Sequence, residues 1–456
     1  MWRYLGIFSL ILASSVFRTA ACQSIPLFRV PKQQPASPPS LFSSNVSVSD
    51  VNGFAYLARM DIGAQNFLVL LDTGSSDLWI VSSGCTEDDC SNVPKYQPTP
   101  TLDLSPTAFE LRYLLGEVSG VIGTETVGLG RFEVLSQVFA LANQTAGLGL
   151  AATGNSGILG LSFPTEAAIP DTSGRTLLEN LVSSLAEPDR YFAVRLGRDS
   201  GGSSFTVGEL DPAYSDSLSD FAFSDVYSAG HAAYDYWKVP LHAITVNGTS
   251  FDVSDSRVPR APSPIAIFDT GTTLILGPSA DVDRLWQSIG GARKTDSGWQ
   301  VRCDRAMVIG MVLGAGDGAK EYAIDPADLS WLEGGRDGDW CMGGIQSNDD
   351  VSSGDWLLGD TFLRNVYIVH HLGNSTQHPM VGLNGLTDPQ TSLANFRLAR
   401  GNDPTPPAPV LGKVTHHRYA ISEGAICGIS AAGGFVFGGV LTVVISACVA
   451  RRAAKY

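Results

Sequence analysis

A seven-residue pattern occurs twice in this chain, and it constrains the fold more than any other feature. Leu70-Leu71-Asp72-Thr73-Gly74-Ser75-Ser76 returns as Ile267-Phe268-Asp269-Thr270-Gly271-Thr272-Thr273. An apolar-apolar-Gly element follows each copy: Ile158-Leu159-Gly160 in the first half, Leu357-Leu358-Gly359 in the second. Asp72 and Gly160 are 88 residues apart, and Asp269 and Gly359 are 90 apart. Two separate motifs that recur in order at nearly equal spacing describe two similar lobes, each offering one Asp-Thr-Gly loop. An apolar strand ending in Asp-Thr-Gly sets a carboxylate at the lip of a hydrophobic core. Glycine there permits a tight turn and a close backbone approach.

The length suits this reading. A chain of 456 residues exceeds one ordinary hydrophobic core and fits two lobes with terminal extras. Short β-type runs separated by Gly, Asn and Asp turns dominate, for example 67–71, 132–141, 192–196, 205–207 and 366–369. Helical periodicity is best at 176–185 and 279–289. With 49 glycines and only 16% charged residues, the body is expected to be mainly β. The formal charge of −15 argues against nucleic acid as a partner, since phosphate binding needs a basic surface. It suits work in acid, where protonation relieves self-repulsion.

Two loops related by a pseudo-dyad bring Asp72 and Asp269 face to face. Two carboxylates that close cannot both ionise, so they share a proton. One can then act as base toward a water between them, and the other as acid toward a carbonyl oxygen. Such chemistry needs no metal, no cofactor and no covalent intermediate.

The ends carry other expectations. Arg3, the apolar run 4–16 and the small residues Thr19, Ala20 and Ala21 before Cys22 read as a signal peptide over 1–22. Residues 23–50 are rich in Pro, Ser and Gln and read as a leader or short pro-segment. The lobes are placed at 51–210 and 211–398. A Pro-rich stalk follows over 399–424, then an uncharged run at 425–450 that is long enough to cross a bilayer. Arg451, Arg452 and Lys455 then place a tail, 451–456, in the cytoplasm. The expected location is the secretory pathway and the plasma membrane or cell surface, as a single-pass type I protein; a GPI anchor is the alternative. Outside Cys22 and the span, Cys85, Cys90, Cys303 and Cys341 make an even set. That predicts two disulfides, Cys85–Cys90 and Cys303–Cys341, in an oxidising compartment. Sequons at Asn45, Asn143, Asn247 and Asn374 mark glycosylation sites.

At this point a resemblance is plain. LLDTGSSDLWIVSSGC and IAIFDTGTTLILGP resemble the two active-site signatures of the pepsin-like aspartic proteases, and membrane-anchored fungal members in particular. The resemblance runs from about Val51 to Phe396. GILGLSFP and WLLGDTFLRNVYIV resemble the family's paired elements beneath the site, and YWKVPLHAITVNG looks like a second-lobe strand pair. The shared proton is itself the known pattern of such enzymes.

The resemblance implies an endopeptidase with Asp72 and Asp269 catalytic, acting as a monomer on extended protein or peptide substrates with large apolar residues near the cut. It implies that Thr73 and Thr270 hydrogen-bond across the lobes beside Gly74 and Gly271. It also implies that Ser75 and Thr272 donate to the outer aspartate oxygens. A flap hairpin would carry Tyr113 at its tip, oriented by Trp79, with Gly116 and Gly120 as its glycines. Leu114 departs from the glycine usual after the flap tyrosine, and the leader, with only Arg29 and Lys32, is short and weakly basic for a zymogen.

Several motifs read as bland. Asp199-Ser200-Gly201-Gly202 is a hairpin turn between two strands, because a serine mechanism lacks its histidine context. Gly147–Ala152 fits a degenerate dinucleotide pattern without a convincing helix after it. The pairs His370-His371 and His416-His417 lack zinc-ligand spacing and read as surface residues. Asp360 reads as structural. Glu87, Asp88 and Asp89 read as a solvated loop, or as a preference for basic substrates. Two rivals stand beside the protease: a non-catalytic binding protein on the same scaffold, and a membrane receptor or adhesion protein.

Overall fold

The computed structural model describes residues 24–31, 54–198, 202–230, 233–351 and 353–403. All of them belong to one compact unit, Met1–Val414. The signal peptide, Asn45, His416-His417, the run 425–450 and the tail lie outside the described residues, as does nearly all of the stalk. Among the described residues no helix is long and apolar enough to cross a membrane.

The strands form sheets of thirteen, eight and four. In the strand Gln65–Asp72, Phe67, Val69 and Leu71 are buried at alternate positions, the period-two pattern of a strand with one face on the core. The strand Ile265–Phe268 is buried at all four positions, as in strands covered on both faces. The two halves repeat one arrangement around these strands. Gln65–Asp72 runs parallel to Gly157–Gly160, which lies antiparallel to Leu78–Val81. Ile265–Phe268 runs parallel to Trp356–Leu358, which lies antiparallel to Ile275–Gly277. The repeat in the sequence is therefore a repeat in the backbone, and the mainly β architecture with two related halves is as expected.

The halves share the large sheet. Tyr191–Arg195 pairs antiparallel with Val366–His371 from the far end of the chain and with Ser204–Val207. Within the stretch read as a leader, Ile25–Pro31 is a strand of this sheet. It pairs with Phe54–Ile62 and with Ser204–Val207, and Ile25 and Leu27 are buried.

Few helices interrupt the sheets. Thr176 caps Leu177–Ser183 through a reciprocal bond with Glu179, a capping box of the kind that contributes about 1 kcal/mol. Ser279–Ile289 buries Val282, Leu285, Trp286 and Ile289 on one face and stops at Gly290, φ 69°. The helix Pro389–Arg400 was not expected, and its end takes the first residues assigned to the stalk. Its only buried residue is Phe396, so it lacks the periodic stripe that would announce it.

Candidate active site

Both Asp-Thr-Gly loops leave a buried strand and turn back beneath the apolar-apolar-Gly element of the same half. Leu161 N–H donates to Asp72 O at 2.8 Å, and Asp269 N–H donates to Leu358 O at 3.1 Å. A Cβ on Gly160 would stand 2.5 Å from Asp77 N, and one on Gly359 would stand 2.2 Å from Thr272 O. Only glycine lets the two segments touch, which explains why the motifs recur together.

Asp72 and Asp269 are 5% and 7% exposed and lie close enough for the Asp269 charge to act on Asp72. Gly74 N–H donates to Asp72 Oδ1 at 2.8 Å and Ser75 Oγ donates to Oδ2 at 2.6 Å. The second loop is a copy: Gly271 N–H to Asp269 Oδ1 at 2.8 Å, Thr272 Oγ1 to Oδ2 at 2.6 Å. A Cβ on Gly74 would stand 2.6 Å from Asp269 Cγ, and one on Gly271 would stand 2.6 Å from Asp72 Oδ1. Neither glycine has a positive φ. They serve here to make room for the opposite carboxyl, not to bend the chain.

The loops are pinned to each other by a crossed pair of threonines. Thr73 N–H donates to Thr270 Oγ1 at 3.1 Å, and Thr270 N–H donates to Thr73 Oγ1 at 3.0 Å. Each hydroxyl passes its own proton on, Thr73 to Phe268 O and Thr270 to Leu71 O. All four groups are buried and satisfied, the condition under which a polar network rigidifies a site.

Burial first, and then the charge of Asp269, hold the Asp72 carboxyl well above the usual aspartate range; Ser75 and the Gly74 N–H pull the other way. The pair therefore retains a proton where an exposed aspartate has lost its own.

Tyr113 sits in the turn between the strands Asp103–Arg112 and Glu117–Leu129, which pair as a hairpin. Its N–H donates to Gly116 O at 3.0 Å, and Gly116 has φ 83°. Trp79 Nε1 donates to Tyr113 Oη at 2.7 Å. Burial, followed by the Asp72 charge, raises the Tyr113 pKa, so the ring lies near the carboxyl pair. A Cβ on Gly120 would meet Leu141 O at 1.9 Å, so this glycine too is a close approach. Leu114 and Leu115 are exposed at the tip.

Cys85–Cys90 and Cys303–Cys341 are bonded. Asp89 accepts N–H groups from Leu148 and Leu150, which makes it structural, while Glu87 and Asp88 are exposed. Gly147–Ala152 does lead into a helix, but one of four residues, Leu150–Thr153. Asn247 is exposed and Asn143 and Asn374 are partly buried. Asp360 is buried, with its charge beside Tyr56 and Arg364. The turn at 199–201 lies outside the described residues, between antiparallel strands. His370 and His371 are not surface residues: both are buried, because their strand is covered on both faces. Tyr236 was read only as part of a strand pair. It packs against the apolar cluster that holds Ile267 and Leu357 and feels the Asp269 charge. The aromatic pair Tyr236-Trp237 was its sequence signal.

The comparisons agree with this geometry. The model of the family described as eukaryotic aspartyl protease matches residues 55–378. Major aspartyl peptidase 1 of Cryptococcus neoformans var. grubii is 30% identical over 345 residues, covering 71% of this chain and 68% of that protein. Pepsin A of Bos taurus is 28% identical over 327 residues, covering 70% and 82%. Chymosin of Ovis aries is 27% identical over 335 residues, covering 72% and 80%. Paired carboxyls on duplicated loops and a match over most of the chain lead to one conclusion: this chain belongs to the eukaryotic aspartyl protease family and is a pepsin-like aspartic endopeptidase.

Proposed function

We propose that Asp72 and Asp269 hydrolyse peptide bonds by activating a water held between them. The observation that carries this reading is the pair itself, two buried carboxyls each set against the loop glycine of the other half, with the Asp72 pKa raised. The ionised member takes a proton from the water, which attacks the peptide carbon. The protonated member gives its proton to the carbonyl oxygen, and a tetrahedral diol forms. The member now protonated gives its proton to the nitrogen while the ionised member takes one from a diol hydroxyl; the C–N bond breaks and the pair is left again with one proton. Ser75 and Thr272 hold the outer oxygens, so the inner ones face the water. The threonine cross-bonds keep the carboxyls from relaxing apart. The hairpin carrying Tyr113 closes over an extended substrate and pairs with its backbone. The test is cleavage of unfolded protein by the purified full chain across pH. Loss in both Asp72→Asn and Asp269→Asn is expected, and activity surviving in either variant would overturn the mechanism.

We further propose that the protease body works outside the cytosol, as a glycosylated monomer anchored by the run 425–450. The two disulfides and the accessible sequon at Asn247 support this reading. A chain that resists alkaline carbonate extraction and phosphatidylinositol-specific phospholipase fits a spanning helix. Release by the phospholipase would instead assign the lipid anchor.

A further inference from the structure

The carboxyl pair is flanked by a tyrosine from each half. Tyr113 packs, together with Leu70, against the apolar cluster that holds Trp79 and Ile158, and Tyr236 packs against the cluster that holds Ile267, Leu276 and Leu357. These are matching positions: two before each Asp, seven after it, and two before each Gly. The tyrosines differ in what holds their hydroxyls. Tyr113 is held by Trp79 of its own half. The Tyr236 hydroxyl donates to Glu166 Oε2 at 3.1 Å, across to the loop that follows the first apolar-apolar-Gly element. Two further bonds fix that crossing, Ser162 Oγ to Asp235 O at 2.8 Å and Thr165 Oγ1 to Tyr234 O.

Charge gives the crossing a further meaning. Asp235 is neutralised by Lys238, Nζ to Oδ2 at 2.6 Å. Glu166 is exposed, and among the described residues its side chain has the Tyr236 hydroxyl and no lysine or arginine. A carboxylate offers about four acceptor sites, so most of this one is open. Burial raises the Tyr236 pKa, with Glu166 next and Asp235 and Asp269 behind it. The hydroxyl thus stays a donor beside a negative wall. A carboxyl pair that shares one proton keeps one negative charge, and Glu166, bonded to a tyrosine that feels the Asp269 charge, adds another nearby, a field that draws cations.

We propose that Glu166, steadied by Tyr236 from the opposite half, is a specificity residue that receives a lysine or arginine side chain of the substrate at one position next to the scissile bond. The inference rests on the protease reading and narrows its substrate class from apolar peptides to peptides carrying one basic residue at that position.

The experiment uses the full chain and a peptide series that varies Lys, Arg, norleucine and Glu at each position from four before the cut to four after it. The expected result is a preference for Lys or Arg over norleucine at one position, up to roughly fivefold in kcat/KM, the upper size of an exposed ion pair. Glu166→Gln, which can still accept from Tyr236, removes that preference and leaves the other positions unchanged. Glu166→Lys turns it toward Glu, and high salt shrinks it in the parent. If Glu166→Gln leaves every preference intact, or lowers kcat/KM equally for all peptides, Glu166 is only a tie between the halves and the proposal falls. A parent chain that cuts no peptide at any pH overturns the protease reading as well, so the two failures are distinct.

Discussion

His370 lies flat against Phe192, their ring centroids 4.3 Å apart and their planes 10° from parallel. The Trp237 ring meets the same imidazole edge-on at 5.0 Å. Both ring nitrogens are without a hydrogen-bond partner among the described residues, and burial alone lowers the pKa from 6.5 to about 3. The side chain is packed as a neutral aromatic within the sheet that joins the two halves.

That packing makes stability fall in acid. Unfolding releases the imidazole to its ordinary value of 6.5, so the unfolded chain takes up a proton first as the pH drops. The contribution is fully present above 6.5 and is lost progressively toward about 3. At pH 4 the loss is about 3 kcal/mol, at about 1.4 kcal/mol per unit. His370→Phe keeps the stack and has nothing to protonate. Urea unfolding is expected to find the variant stabilised by about that amount at pH 4 relative to pH 7. Parallel stability curves for parent and variant over this range would refute the account.

The carboxyl pair tilts the curve the opposite way. Folded Asp72 holds its proton to a higher pH than the unfolded residue, whose ordinary value is 3.8. Its contribution is complete below 3.8 and is lost as the pH rises through the raised value. Asp72→Asn removes the like-charge repulsion while keeping the shape. Thermal unfolding should show the variant more stable than the parent at pH 7 and equal to it at pH 3. Peptidase activity should fall roughly a thousandfold, within the usual range for a lost acid–base group.

The sequence displayed the site more fully than its surroundings. Asp72, Asp269 and their glycines are legible because each loop is a local motif with its own spacing, and duplication doubles the signal. The threonine cross-bonds came only from the resemblance, since no local pattern says that residues 73 and 270 meet. The burial of His370 was missed because histidine is polar on any scale, yet a neutral imidazole between Phe192 and Trp237 packs as an aromatic ring. The helix Pro389–Arg400 had only its Asp388-Pro389 start as a signal, with Asp388 accepting from Thr391 N–H. Glu166 lay in a loop that nothing in the sequence joined to Tyr236; the pairing exists only once the two halves are assembled.

The crossed threonines predict a split between fold and turnover. Thr270→Val keeps the shape but leaves Thr73 N–H without its acceptor and Leu71 O without its donor, both buried. Each orphaned group costs about 1–3 kcal/mol. Denaturant unfolding should show a loss of about 2–4 kcal/mol. The drop in kcat should exceed any rise in KM, because the change loosens the carboxyl pair and leaves the cleft walls in place. Thr270→Ser should restore both quantities, since serine keeps the hydroxyl. A serine variant as poor as the valine one would point to the lost methyl group rather than the hydrogen bonds.

The two disulfides should contribute unequally. Cys303–Cys341 closes a separation of 38 residues and Cys85–Cys90 one of 5. Chain entropy alone assigns about 4 kcal/mol to the longer loop and about 2 to the shorter. Guanidinium unfolding of the two paired Cys→Ser variants should therefore rank them in that order. The short loop has a second role, because it holds Asp89 where the carboxylate accepts from Leu148 and Leu150 N–H. If the Cys85→Ser/Cys90→Ser variant proves as costly as the other, the excess belongs to those lost N–H partners. Asp89→Asn in the intact chain should then reproduce that excess by itself, because it replaces one acceptor oxygen with an amide that cannot accept.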